Sequence, residues 1–247
     1  MSGHSKWANI KHRKAKGDAA KANVFTKIGR EISVAVKQGG ADPNTNSKLK
    51  DIISKARANN IPNDNIMRSI KKASGEAGGV NYEEITYEGY GPAGVAFYVE
   101  CLTDNKNRSA GDVRHIFDKS GGALGTTGSV GFMFKRRGVI AIDAAGAADE
   151  DELTLKALDA GAEDFVSDGD AYIVYTAPQD LASVRDKLEK DKIEFISAEI
   201  DMIPENTVAL NGEETAKILK MIDKLEENDD VQNVFHNAEL TEIDEEE

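Results

Sequence analysis

Apolar residues recur at spacings of three and four from Ala22 through Phe25, Ile28, Ile32, Ala35 and Val36, and this period predicts an amphipathic helix that opens at Asp18 and stops at Gln38-Gly39-Gly40. A second helix is predicted over 46–58, with Leu49, Ile52, Ile53 and Ala56 inward, ending before Asn59-Asn60-Ile61-Pro62. A third runs from Asn63 or Asp64 to Ala73 with Ile66, Met67 and Ile70 inward, and three such helices make a small bundle. Residues 1–17 lack the periodicity and read as an irregular or conditionally helical arm, while 74–81 (SGEAGGVN) reads as a flexible linker.

Past the linker the period changes from 3.6 to 2. Strands are predicted at 84–88 and 94–102, joined by a turn at Gly89-Tyr90-Gly91-Pro92, then a helix over 105–119 with Val113, Ile116 and Phe117 in its core. Phe132-Met133-Phe134 reads as a strand, Lys135-Arg136-Arg137-Gly138 as the join to a strand at 139–142. From there the order is strand 139–142, helix 149–160, strand 163–167, turn Asp168-Gly169-Asp170, strand 171–176, helix 178–190 and strand 194–203, the βαββαβ order of a ferredoxin-like domain. After Pro204 come a short strand at 208–210, a helix over 213–227 with Ile218, Leu219, Ile222 and Leu225 inward, and a strand at 231–235.

Residues 205–240 cannot bury both faces of these last elements alone, but combined with 82–135 they complete a second α+β sandwich. The expected fold class is therefore α+β: a three-helix domain over 1–78, a discontinuous domain from 82–135 plus 205–240, and a ferredoxin-like domain at 138–204 inserted into it. The tail 241–247, with five acids, is expected to be disordered.

Charge changes this picture most. The chain of 247 residues has a net charge of −13, but residues 1–78 hold 16 lysines and arginines against 6 acids, which is +10, and the remainder holds 15 against 38, which is −23. Binding to a polyanion follows the local field rather than the total. The basic stretch Gly3 to Arg30 contains His4, Lys6, Lys11, His12, Arg13, Lys14, Lys16, Lys21, Lys27 and Arg30, and the only tryptophan, Trp7. These cations can neutralise phosphates, the histidines can add hydrogen bonds, and Trp7 can stack on an unpaired base or simply pack on the bundle. The acidic remainder would repel a long duplex laid across the whole protein, which favours contact through one end.

Other motifs carry less. The helix over 63–73 with Arg68, Lys71 and Lys72 allows a helix-turn-helix reading, against a generic bundle with lysines on its wet side. The glycine-rich run 121–131 has no GK[ST] and leads from a helix into a strand, which excludes a phosphate loop. Lys106, Arg108 and Arg114, with His115, lie at a strand-to-helix junction where Asp104 or Asn105 caps the helix; with Lys135, Arg136 and Arg137 they are candidates for a secondary contact. Four scattered histidines and the single Cys101, read as a buried small hydrophobe, give no metal spacing or catalytic constellation, so no cofactor, metal, small-molecule substrate or enzymatic activity is expected. No run of 18 apolar residues and no secretory signal exist, and the cytoplasm is the expected location, without membrane contact.

The stretches GHSKWANIKHRKAK (from Gly3), FTKIGREI (from Phe25), NNIPNDNI (from Asn59), YEGYGPAGVA (from Tyr87), TDNKNR (from Thr103) and GGALGTTGSV (from Gly121) resemble the YebC family, which includes the mitochondrial translational activator of cytochrome c oxidase subunit I. The resemblance covers essentially the whole chain. It implies a helical N-terminal domain and two α+β domains, no catalytic residues, and a basic N-terminal motif that maps onto Gly3 to Lys16. Members are labelled probable transcriptional regulators that bind promoter DNA, and others associate with the ribosome and relieve stalling at proline runs. Ala22-Asn23-Val24 stands where many relatives have further basic residues.

The function expected is that of a non-enzymatic gene-expression regulator binding nucleic acid through its basic N-terminal domain. The alternatives are a ribosome- and ribosomal-RNA-associated translation factor, and a protein-interaction module acting through the acidic domains. An arm with one aromatic and an acidic body suits irregular RNA, whereas the family label favours DNA.

Overall fold

The computed structural model describes Trp7 and residues 18–75, 80–146 and 149–240. The chain divides into two compact units: Lys16–Ser129 with Lys217–Val234, and Met1–Ala15 with Val130–Ala216 and Phe235–Glu247.

The first unit opens with three helices, α1 (Asp18–Gly39), α2 (Ser47–Ala58) and α3 (Asn63–Ser74). Their core is Ile28, Ile32, Ala35, Val36, Leu49, Ile52, Ile53, Ala56, Ile66 and Ile70, which the three-and-four spacing places on facing stripes. Asn46 locks α2 to α1. Its Oδ1 accepts from the Leu49 amide at 3.1 Å as an N-cap, and its Nδ2 donates to the carbonyls of Ala35 and Gly40, both at 2.8 Å. Phe25 and Met67, expected inward, are 40% and 62% exposed. Met67 follows Ile66 by one residue, about 100° around the helix, and here Ile66 is the one that faces the core.

The same unit holds a four-stranded sheet in the order β3-β1-β2-β9, built from β1 (Glu83–Tyr90), β2 (Ala96–Thr103), β3 (Ala123–Leu124) and β9 (Val231–His236). A 3-10 turn at Pro92–Gly94 joins β1 to β2. Helix α4 (Lys106–Lys119) starts where Asn105 Oδ1 accepts from the amides of Asn107 and Arg108, both at 3.1 Å. Val113 and Phe117 of α4 are fully buried, and Phe97 meets Phe117 edge-on at 5.9 Å. Met221 replaces the expected Leu219 among the buried residues of α7 (Gly212–Glu227), beside Ile218, Ile222 and Leu225.

The glycine-rich run is explained by close approach. A Cβ on Gly122 would lie 2.4 Å from the carbonyl oxygen of Tyr90 and 2.8 Å from Cα of Gly91, both backbone atoms, while Gly128 adopts φ 87° and donates its amide to Glu88 Oε1 at 2.8 Å. Gly122→Ala is therefore expected to destabilise by about 1–3 kcal/mol, measured by urea unfolding; an unchanged midpoint would show that the strand end gives way freely.

The second unit contains the inserted ferredoxin-like sheet, order β5-β6-β4-β7, from β4 (Phe134–Asp143), β5 (Asp164–Asp168), β6 (Ala171–Thr176) and β7 (Ser197–Pro204), all pairs antiparallel. Helices α5 (Glu150–Ala160) and α6 (Leu181–Lys190) bring Ala157, Ala160, Val184 and Leu188 into a core with Ile140, Ile142 and Val174 of the sheet. Val139, Ala141, Ala171, Ile173 and Tyr175 form a separate apolar cluster, the alternate positions of the same strands. Two readings are corrected here. Lys135-Arg136-Arg137-Gly138 is no join: it lies inside β4, paired with 200–203 of β7. Phe132 belongs to a 3-10 turn, Gly131–Met133, and the strand begins only at Phe134. A short parallel pair, β8 (Val208–Ala209) with β10 (Ala238–Glu239), completes the unit.

Candidate nucleic-acid interface

Most of the basic arm, His4, Lys6, Lys11, His12, Arg13, Lys14 and Lys16, lies outside the described residues, as do the middle of the linker and the acidic tail. Lys21 lies in α1. Trp7 is described. It is half-buried against the Val139, Ala141, Ala171, Ile173 and Tyr175 cluster of the inserted sheet, and its backbone amide donates to Asp168 Oδ2 at 3.3 Å.

Two cations of α1 that are candidates for phosphate contact, Lys27 and Arg30, make internal bonds. Lys27 Nζ donates to the Glu226 carbonyl at 2.7 Å, next to Asn23, whose Nδ2 donates to the Glu227 carbonyl at 2.9 Å. Arg30 donates through Nη1 to the Leu102 carbonyl at 2.9 Å and to Asp230 Oδ1, with its guanidinium 5.3 Å from the centre of the Tyr82 ring. Arg108 meets the same carboxylate from α4: its Nη2 is 2.9 Å from Asp230 Oδ2 and 2.7 Å from Asp104 Oδ1, and Thr103 Oγ1 donates to Asp230 Oδ2 at 3.0 Å. Asp230 is almost fully buried. Burial pushes its carboxyl up, but the hydrogen bonds from Arg30, Arg108 and Thr103 outweigh that and hold it below the usual carboxylate range. Two guanidiniums and a hydroxyl on one carboxylate make a rigid link between α1, α4 and the start of β9. Sequence reading did not find Asp230, because nothing local distinguishes it among 44 acids.

Lys106 pairs with Glu83, Lys135 with Glu205, and the Arg137 guanidinium lies 5.8 Å from the centre of the Tyr175 ring. Arg114 and Arg136 are exposed. On the helical bundle, Lys48 and Lys55 meet Glu84 and Glu31, but the exposed Lys50, Arg68, Lys71 and Lys72 have no acidic partner among the described residues. Those four, on α2 and α3, continue the positive character of the N-terminal region onto ordered helices. Cys101 is buried, its thiol pushed up to about 12 by burial, which makes it an inert core residue. Among the described residues no group of three or more histidines, cysteines and acids could hold a metal, and no helix is long and apolar enough to cross a membrane.

A model of the TACO1/YebC N-terminal domain matches residues 5–76, and a model of the TACO1/YebC second and third domains matches residues 82–238. The chain belongs to the TACO1/YebC family. It is 58% identical over 238 residues to a probable transcriptional regulatory protein of Acetivibrio thermocellus, covering 96% of this chain and 98% of the relative. A protein of the same description from Clostridium acetobutylicum is 58% identical over 242 residues, 98% of each chain. The crystal structure of a conserved hypothetical protein from Aquifex aeolicus superposes with a TM-score of 0.86 at 43% identity, covering 98% of this chain and all of that one. As a TACO1/YebC protein the chain has the α+β class with an N-terminal helical region expected from its hydrophobic periods.

Proposed function

We propose that this protein is a gene-expression regulator that binds nucleic acid through its basic N-terminal domain, and that its chemistry is recognition rather than catalysis. The observation that carries the reading is the segregation of charge, +10 over residues 1–78 against −23 over the rest. Lys50, Arg68, Lys71 and Lys72, which have no acidic partner among the described residues, support it, as does the name probable transcriptional regulatory protein given to close relatives. Promoter DNA is the first reading of that ligand. Irregular RNA, ribosomal RNA included, is the second reading, favoured by the acidic remainder, which leaves little surface for a long duplex.

Six phosphate contacts give a log-log salt slope of about −4 to −5. Replacing Lys11, Arg13, Lys14 and Lys16 together with glutamine is expected to weaken binding on the order of 100-fold and flatten that slope to about −1 to −2. Titration of a labelled duplex and a labelled stem-loop RNA at several salt concentrations reads both quantities and ranks the two ligands. Unchanged binding by the quadruple variant would remove the arm from the interface.

A further inference from the structure

We propose that the turn Gly131–Met133 and the beginning of β4 form a second contact for single-stranded nucleic acid, in which an unpaired base stacks on Phe132 and Arg136 takes a neighbouring phosphate. Phe132 is 73% exposed, more than any other large hydrophobic side chain described. It is nevertheless held firmly. Val130 before it and Phe134 after it are buried, the Met133 amide donates to the Val130 carbonyl at 2.9 Å, and the Glu205 amide donates to the Met133 carbonyl at 2.8 Å. A ring presented on a pinned turn loses little conformational entropy on binding, which separates it from a surface aromatic on a loose loop.

The cations beside it divide by role. Lys135 is matched by Glu205, and Arg137, opposite Asp201 in the ladder, lies over Tyr175. Arg136 is exposed, faces Met202 across the ladder, and has no acidic partner among the described residues. One free guanidinium four residues from an exposed ring is the minimum set for a base-plus-phosphate contact, aromatic stacking with a cation to the backbone. The surroundings exclude a duplex: 138–204 holds 17 acids against 5 lysines and arginines, a net −12, so favourable charge is confined to this end.

This inference shares only the ligand class with the function proposed above, and its site is separate from the basic arm. The probes are a 12-residue oligouridine, a 12-residue oligothymidine and a duplex of equal length. Trp7 is the only tryptophan, so Trp7→Phe with Phe132→Trp places the sole indole at the turn, and stacking should quench its emission. Phe132→Ala is expected to weaken single-strand binding roughly 10-fold, with melting temperature, duplex binding and salt slope unchanged. Arg136→Gln is expected to lower the single-strand salt slope by about 0.7. Equal single-strand affinity for Phe132→Ala and parent, with no quenching, overturns the site while leaving the arm reading intact. Quenching that survives neutralisation of the arm supports this site as one that works independently of the arm. No binding of any probe by the parent protein defeats both.

Discussion

Asp230→Ala is expected to lower the free energy of unfolding by about 3–5 kcal/mol, because it leaves buried cationic and hydroxyl groups without their shared acceptor. The Asp230 side chain is 3% exposed and that of Arg30 14%, so neither water nor salt can replace the bond between them. Arg108, at 45%, loses less, since its guanidinium can turn to solvent and keep Asp104. The effect is cooperative. Once Asp230 is gone, Arg30→Met should cost little more, so the double variant would be well short of the sum of the singles. Guanidinium unfolding of the four proteins measures the coupling. Additive losses would mean that α1 is held mainly by Lys27 and Asn23 on the end of α7 rather than by the carboxylate.

The same link sets an acid limit. In the unfolded chain an aspartate titrates near 3.9, whereas in the fold the three donors outweigh burial and hold Asp230 lower. A depressed folded value means its contribution is fully present above the unfolded value and is lost as pH falls through the folded one. Stability of the parent should therefore fall more steeply below about pH 4 than that of Asp230→Asn, which keeps the shape but has no carboxyl to protonate. Parallel curves for the two proteins between pH 2 and 5 would show that other acids dominate.

The link also marks where sequence reading reaches its limit. Periods of 3.6 and 2 identify segments that bury one face, and strand Ala171–Thr176 came out of the alternation with its ends correct because an Asp-Gly turn bounds it. At Lys135 to Gly138 three consecutive cations imitate a turn, while the backbone partners that keep the segment extended lie more than 60 residues away in β7. Phe132 looked like a strand residue between apolar neighbours; only the turn at Gly131 reveals that it points outward. The basic character of the N-terminal region was legible from composition. Which of its cations are already engaged was not, since Arg30 and Lys27 find their acceptors about 200 residues further along the chain.

Trp7→Ala is the substitution in which position and composition make opposite forecasts. As a basic-arm aromatic, Trp7 would stack on a base, and its loss would weaken binding roughly 5- to 100-fold without touching stability. Its place in the fold makes the other forecast. Trp7 packs against the cluster formed by Val139, Ala141, Ala171, Ile173 and Tyr175, and its backbone amide is tied to Asp168, itself almost fully buried. Truncating a half-buried tryptophan there removes packing from this buried cluster and should cost about 2–3 kcal/mol, less than the 3–5 of a fully buried one. That corresponds to a melting temperature lower by roughly 4–12 °C for a chain of this size. Only the part of the indole that the sheet leaves uncovered is open to a base. The expected result is a clear thermal shift with oligonucleotide affinity within a factor of two of the parent. Calorimetry and anisotropy on the same preparation separate the forecasts, and an unshifted transition with weakened binding would return Trp7 to the nucleic-acid interface.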